Sequence, residues 1–101
     1  MGTLYLAELN FIGGGGNHPV SGGQFPPIVE QTLTISGSSH ASSTFNANTT
    51  LLRVNVDTTC SIVIGTSPSA TTLNARMAAN QTEYFSVPGN QGYQLAVIAN
   101  T

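Results

Sequence analysis

The sequence feature that most constrains the fold is the segment 50–68, TLLRVNVDTTCSIVIGTSP. Its first part alternates Leu52, Val54 and Val56 with polar residues, and a polar DTT turn then leads into the apolar run CSIVI. Alternation of period two indicates a strand with one buried face, and a β-branched run after a turn indicates a partner strand. The segment therefore predicts a β-hairpin at the centre of the fold.

The rest of the chain predicts short strands separated by turns, and no helix. These strands are expected at residues 3–12, 28–36, 44–48, 82–87 and 93–99. Residues 66–80 show neither the period of two of a strand nor the period of about 3.6 of a helix. They predict a loop with Leu73 and Met77 turned towards the core. Six to eight short strands with turn signals at intervals of about 8–12 residues are typical of sandwiches and barrels. The predicted fold class is all-β, a small antiparallel β-sandwich that is jelly-roll-like or immunoglobulin-like, with the strand order left open.

Residues 13–27, GGGGNHPVSGGQFPP, interrupt this pattern. The glycine run is not followed by Lys-Ser/Thr, so a phosphate-binding loop is not indicated. One interpretation is a flexible linker. The other is an extended Gly-rich N-terminal arm that becomes ordered against a neighbouring subunit. The predicted division is 1–27 for the N-terminal strand and Gly/Pro-rich arm and 28–101 for the β-sandwich domain.

Charge is scarce in this chain. Only 6% of the 101 residues are charged and none is Lys, against about 25% in average soluble domains. Surface polarity must come from Ser, Thr, Asn, Gln and Gly, which protect a free monomer poorly against association. A protein that functions in an assembly is one interpretation, and a secreted or fibrous β-domain is the other.

Several partner classes are disfavoured. Arg53 and Arg76 stand alone, whereas nucleic-acid binding needs clusters of basic residues. The longest apolar run is far shorter than the roughly 20 residues of a membrane span. No signal-peptide pattern is present at the start, so we expect synthesis in a cytoplasm without export by the usual route. The single cysteine, Cys60, is expected to be a buried hydrophobe.

No catalytic, cofactor-binding or metal-binding residues are predicted. His18 and His40 lie far apart in Gly/Ser-rich segments without neighbouring carboxylates, so a metal site is not indicated. No Gly-x-Ser-x-Gly motif marks a nucleophilic serine, and no pair of carboxylates stands out for glycoside chemistry. The chain is therefore not expected to be an enzyme.

The candidate contact residues belong to the arm and to the sandwich. Arg53 lies on the polar side of the best strand and is free to pair with Glu83, with a partner's carboxylate or with solvent. Tyr84 and Tyr93 flank a Pro-Gly turn and could form a contact edge or pack in the core. The candidate partner-binding residues are Leu4, Leu6, Phe11, His18, Phe25, Arg53, Tyr84 and Tyr93.

A family resemblance is carried by four motifs in the second half of the chain: CSIVIG at 60–65, PSAT at 68–71, EYFSVPG at 83–89 and LAVI at 95–98. From residue 50 onward the chain resembles small virion proteins of tailed bacteriophages, which are encoded beside the major capsid protein. The resemblance implies a capsid cement (decoration) protein with a jelly-roll-like sandwich. It also implies an oligomer, dimer or trimer, made in the host cytoplasm and located on the capsid surface, where it clamps neighbouring major capsid proteins.

Two alternatives stay open. A tail, fibre or neck component could use the same sandwich, at a copy number of threes, sixes or twelves instead of hundreds. A carbohydrate-binding module is the other alternative, since jelly rolls often bind glycans. That function needs exposed aromatic platforms, and the chain has no Trp and three Tyr.

Overall fold

The computed structural model describes residues 2–10 and 28–100, which consist of strands and their connections without a helix. The strands are β1 (Gly2–Leu9), β2 (Val29–Ile35), β3 (His40–Ala41), β4 (Leu51–Val56), β5 (Cys60–Gly65), β6 (Ala75–Met77), β7 (Thr82–Ser86) and β8 (Gln94–Ala99). They form two four-stranded sheets, ordered β2-β1-β4-β7 and β3-β8-β5-β6, in which every pairing is antiparallel. The predicted all-β sandwich is confirmed. Within these residues no helix could cross a membrane.

Alternation along the strands turns one side of each sheet into a shared core. In β4, Leu52, Val54 and Val56 are fully buried, while Arg53 and Asn55 between them point the other way and are partly exposed. The same alternation buries Leu4 and Leu6 in β1, Ile35 in β2, Cys60 and Ile62 in β5, Met77 in β6, and Leu95 and Val97 in β8. Each large aliphatic side chain buried in this way contributes about 1.5–3 kcal/mol, so this core is the main source of stability.

The predicted hairpin of residues 50–64 is wrong, although both of its strands exist. β4 pairs with β1 and β7 in the first sheet, whereas β5 pairs with β6 and β8 in the second. The polar turn at residues 57–59 thus carries the chain from one sheet to the other. Alternation specifies which side chains face the core, and two strands facing one core from opposite sheets have the same pattern as two paired strands.

The strand order is that of a jelly roll with one strand moved along the chain. A jelly roll whose eight strands are lettered B to I has the sheets B-I-D-G and C-H-E-F. Here β2 to β8 occupy the places of B to H, and β1 occupies the place of I between β2 and β4. The first strand of this chain therefore takes the position that the last strand takes in a standard jelly roll.

β1 is an inner strand of the sandwich, between β2 and β4. Residues 2–8 of this strand pair with β2 on one side, and residues 4–9 pair with β4 on the other. Its far end is closed against the start of β2, because the N–H of Ile28 donates to the carbonyl of Glu8 at 2.8 Å. β1 is thus part of the same core as the rest of the chain. The remainder of the predicted arm, residues 11–27, lies outside the described residues.

Two local predictions also change. The edge strand expected at residues 44–48 is instead β3, and Phe45 is a buried residue whose N–H donates to the carbonyl of Tyr93 at 2.9 Å. The loop expected at residues 66–80 contains β6, in which Met77 is buried as predicted. Leu73, by contrast, is 94% exposed. A turn just before β6 holds it outwards, in which the N–H of Asn74 donates to the carbonyl of Thr71 at 3.0 Å.

Candidate partner-binding face

Two neighbouring rows of side chains run across the strands on the outward side of the first sheet, beside a third row in which Leu9 and Leu51 are buried. In the order β2, β1, β4, β7, the first row is Thr32, Tyr5, Asn55 and Thr82, and the second is Glu30, Ala7, Arg53 and Tyr84. We call these eight positions the open face. Tyr5 and Tyr84 are 48% and 56% exposed, and tyrosine, which has an apolar ring and a polar hydroxyl, is enriched at contact surfaces.

A shallow depression of about 210 Å³ lies in the open face. Its floor includes the small side chain of Ala7, and Tyr5, Thr32, Glu30 and Arg53 stand around it. The depression exists because alternation places a methyl group in the second row between two long charged side chains.

The guanidinium of Arg53 has no hydrogen bond or ion pair with any residue in 2–10 or 28–100. The pairing with Glu83, one of the predicted alternatives, does not form. Glu83 lies opposite Val54 on β4 and so points to the other side of the sheet from Arg53. Its carboxylate instead accepts a hydrogen bond from the side-chain amide of Gln81. Among the described residues, the guanidinium of Arg53 is therefore without a partner at the open face.

The inner side of the same sheet contains a buried carboxylate that the sequence pattern did not single out. Glu8 is 1% exposed. Its Oε1 accepts from the backbone N–H of Asn46 at 2.7 Å and from the hydroxyl of Thr49 at 2.8 Å, and its Oε2 accepts from Nε2 of Gln31 at 2.7 Å. Gln31 in turn accepts the N–H of Ser43 at 2.9 Å. Glu8 thus ties β1 to β2 and to the connection between β3 and β4.

The outward side of the second sheet, unlike that of the first, is covered by a connection of the chain. Its inner strands β5 and β8 place Ser61, Val63, Ala96 and Ile98 there, which we call the covered face. The connection 66–74 lies across it. The N–H of Ala70 donates to the hydroxyl of Ser39 at 2.8 Å, and the side-chain amide of Asn100 donates both to the hydroxyl of Ser61 at 2.8 Å and to the carbonyl of Thr72 at 3.2 Å. Ser61, Ala96 and Ala70 are consequently buried.

The candidate residues that the structure describes lie in the core, at its edge or on the open face. Leu4 and Leu6 are core residues of β1, with their side chains inside the sandwich. Tyr93 is partly buried and packs against the same core.

Arg53 and Tyr84 are cross-strand neighbours on the open face. Tyr5 joins them there and was missed, although its place between Leu4 and Leu6 indicated an outward position. The three remaining candidates, Phe11, His18 and Phe25, lie outside the described residues.

Among the described residues, Asp57 and Cys60 have perturbed acidity, and neither lies on the open face. The N–H of Thr3 donates to Oδ1 of Asp57 at 2.7 Å, and this hydrogen bond lowers the pKa of Asp57 from its ordinary value of 3.8. Burial in the core, together with the charge of Asp57, raises the pKa of the Cys60 thiol to about 11. Cys60 is therefore protonated at neutral pH and is a poor nucleophile. The described residues hold no group of three or more His, Cys, Asp or Glu that could bind a metal ion.

Comparison of the chain with protein-family models, with curated proteins and with solved structures finds no match.

Proposed function

We propose that this chain is a structural virion protein, a capsid cement (decoration) protein that binds the outside of a tailed-bacteriophage head and stabilises contacts between major capsid proteins. The sequence resemblance supports this function for the half of the chain from residue 50 onward. The observation that carries it on the structural side is the difference between the two outer faces. One is closed by the chain's own loop, while the other presents Tyr5, Arg53 and Tyr84 to solvent.

An assembly role fits the chemistry of this surface. Tyrosine and arginine are enriched at protein interfaces, while Lys and Glu are depleted there, and the open face presents two tyrosines and an arginine that no described residue pairs. The chain has two cations and four anions in total, so the surface around these residues is mostly uncharged and polar. Many copies on one shell would let weak individual contacts add up through multivalency.

The copy number of the chain per purified particle tests the proposal. Quantitative mass spectrometry against the most abundant shell protein should give a ratio of one per capsid subunit or a simple fraction of it. A dozen copies or fewer would instead assign the protein to the tail, fibre or neck. Absence from particles would overturn the virion function altogether.

Glycan binding is a second candidate, favoured by the exposure of Tyr5 and Tyr84 on one flat sheet face. Sugar rings stack on aromatic side chains, and the neighbouring Asn55, Thr32 and Thr82 offer hydrogen-bonding groups. If this candidate holds, a glycan array probed with the full chain gives signals that Tyr84→Ala removes and that Leu73→Ala, on the other side of the sandwich, leaves intact. An array without signals above background would exclude it.

A further inference from the structure

Two of the six charged residues of the chain lie in one row of the open face. Glu30 on β2 and Arg53 on β4 stand on either side of Ala7 on β1, and neighbouring strands are about 4.8 Å apart, so their Cα atoms are separated by about 10 Å. Glu30 is exposed and Arg53 partly exposed, and neither forms an ion pair with a described residue. The row therefore has a negative end, a small centre and a positive end.

Such a row is complementary to itself. A two-fold axis that runs along β1, in the plane between two copies placed face to face, exchanges the positions of β2 and β4. Glu30 of one copy then faces Arg53 of the other, and symmetry produces the contact twice. Packed sheets lie about 10 Å apart, a gap that an arginine and a glutamate side chain together can span. Tyr5, also on β1, lies near the axis and meets its own symmetry mate.

From this self-complementarity we propose that the open face is the interface between two copies of this chain, related by a two-fold axis along β1, with Arg53 of each copy paired to Glu30 of the other. The inference deepens the proposed function by naming the occupant of the open face, and it rests on that function for its role in the virion. The depression above Ala7 gives the facing side chains room, and the exposed tyrosines supply the apolar area that an interface core requires.

A charge-swap experiment tests the arrangement. Arg53→Glu would set two carboxylates against each other at both symmetry-related contacts, and Glu30→Arg would set two guanidinium groups against each other there, so each single variant repels itself twice. Close like charges across an interface cost several kcal/mol, so the dissociation constant of the homodimer should rise on the order of 100-fold in each. An equimolar mixture of the two single variants regains two opposite-charge contacts, and so does the double variant E30R/R53E. Both should dimerise within about tenfold of the unmodified chain.

The readout is sedimentation equilibrium of the full chain at low ionic strength, with circular dichroism to verify that each variant is folded. Arg76→Glu is the matched control, because Arg76 is exposed on β6 of the other sheet, and its dissociation constant should not change. A monomeric unmodified chain would overturn the proposal. So would a dimer that Arg53→Glu leaves intact, or a mixture of the single variants that fails to associate. The measurement uses purified protein without particles, so its failure is distinguishable from a failure of the cement function, which the copy number decides.

Discussion

The same strand alternation produces both outer faces of the sandwich, but the outward side chains of the two faces differ in size. On the covered face the outward residues of β5 and β8 include Ser61 and Ala96, whose small side chains allow the 66–74 connection to lie close to the sheet. On the open face the outward residues Tyr5, Arg53 and Tyr84 are large, and all three are at least partly exposed. The size of the outward side chains thus separates a face that the 66–74 connection covers from a face on which large side chains are exposed.

The largest effect that this comparison predicts follows from placing a charge under the loop of the covered face. Ala96 is fully buried although its side chain points away from the core. Ala96→Glu should lower the free energy of unfolding by about 3 kcal/mol or more, because the carboxylate would be desolvated without a partner. Urea unfolding followed by circular dichroism measures it.

Thr34→Glu is the matched control, since Thr34 is an exposed outward residue of β2 in the first sheet. Its effect should stay within about 0.5 kcal/mol. Equal losses in both variants would contradict the distinction between the two faces.

A second prediction compares the loss of stability caused by one substitution on the inner side of the first sheet with the loss caused by the same substitution on its outer side. Glu8→Gln replaces one acceptor oxygen by an NH2 group, which would face either the donors from Asn46 and Thr49 or the amide of Gln31. Rotation of the Gln31 amide would not help, because its oxygen already accepts the N–H of Ser43. The variant should lose about 1–3 kcal/mol of stability. Glu30→Gln, the same change at an exposed position, should be near neutral when the protein is dilute, and a similar loss there would show that burial of Glu8 is not the cause.

The sequence predicted the composition of the core better than the connections between strands. Leu52, Val54 and Val56 alternate strictly and are all buried as expected, because a one-residue slip would expose all of them. The same pattern gave no information about the two partners of β4. These are β1, about forty residues earlier in the chain, and β7, about thirty residues later. Pairings over such distances depend on the packing of the whole sandwich.

The candidate site was predictable in part, and the reason is again alternation. Arg53 was predicted on the polar side of its strand, Tyr84 was a candidate for a contact edge or the core, and the two are neighbours on the open face. Leu4 and Leu6 were assigned to an arm because the glycine-rich segment follows them, yet they are core residues. Glu8 was missed as a buried anchor, since a glutamate in an imperfectly alternating strand gives no sign that three donors will surround it.

A third prediction concerns the turn that joins the two sheets. The pKa of Asp57 is lowered by the hydrogen bond from the N–H of Thr3, so its charged form favours the folded state. This contribution is fully present above the ordinary pKa of 3.8 and is lost as the pH falls through the lower folded-state pKa. Asp57→Asn should therefore remove part of the acid sensitivity. The stability difference between the two proteins, from urea unfolding at pH values from about 2 to 7, should be constant above about pH 5 and shrink below about pH 4. A difference independent of pH would contradict it.

The smallest predicted effect belongs to the exposed tip of the covered face. Leu73 is 94% exposed, held outwards by the turn that Thr71 and Asn74 form, so Leu73→Ser should change the free energy of unfolding by no more than about 0.5 kcal/mol. Met77, four residues later and buried in the core, is the matched contrast, and Met77→Ser should cost about 2–5 kcal/mol. Thermal unfolding of both variants measures these two changes in stability. A clear loss in Leu73→Ser would mean that Leu73 packs against the chain's own covered face, and the loop would then be held by apolar contact as well as by Ser39 and Asn100. Without that loss, the leucine does not stabilise the fold.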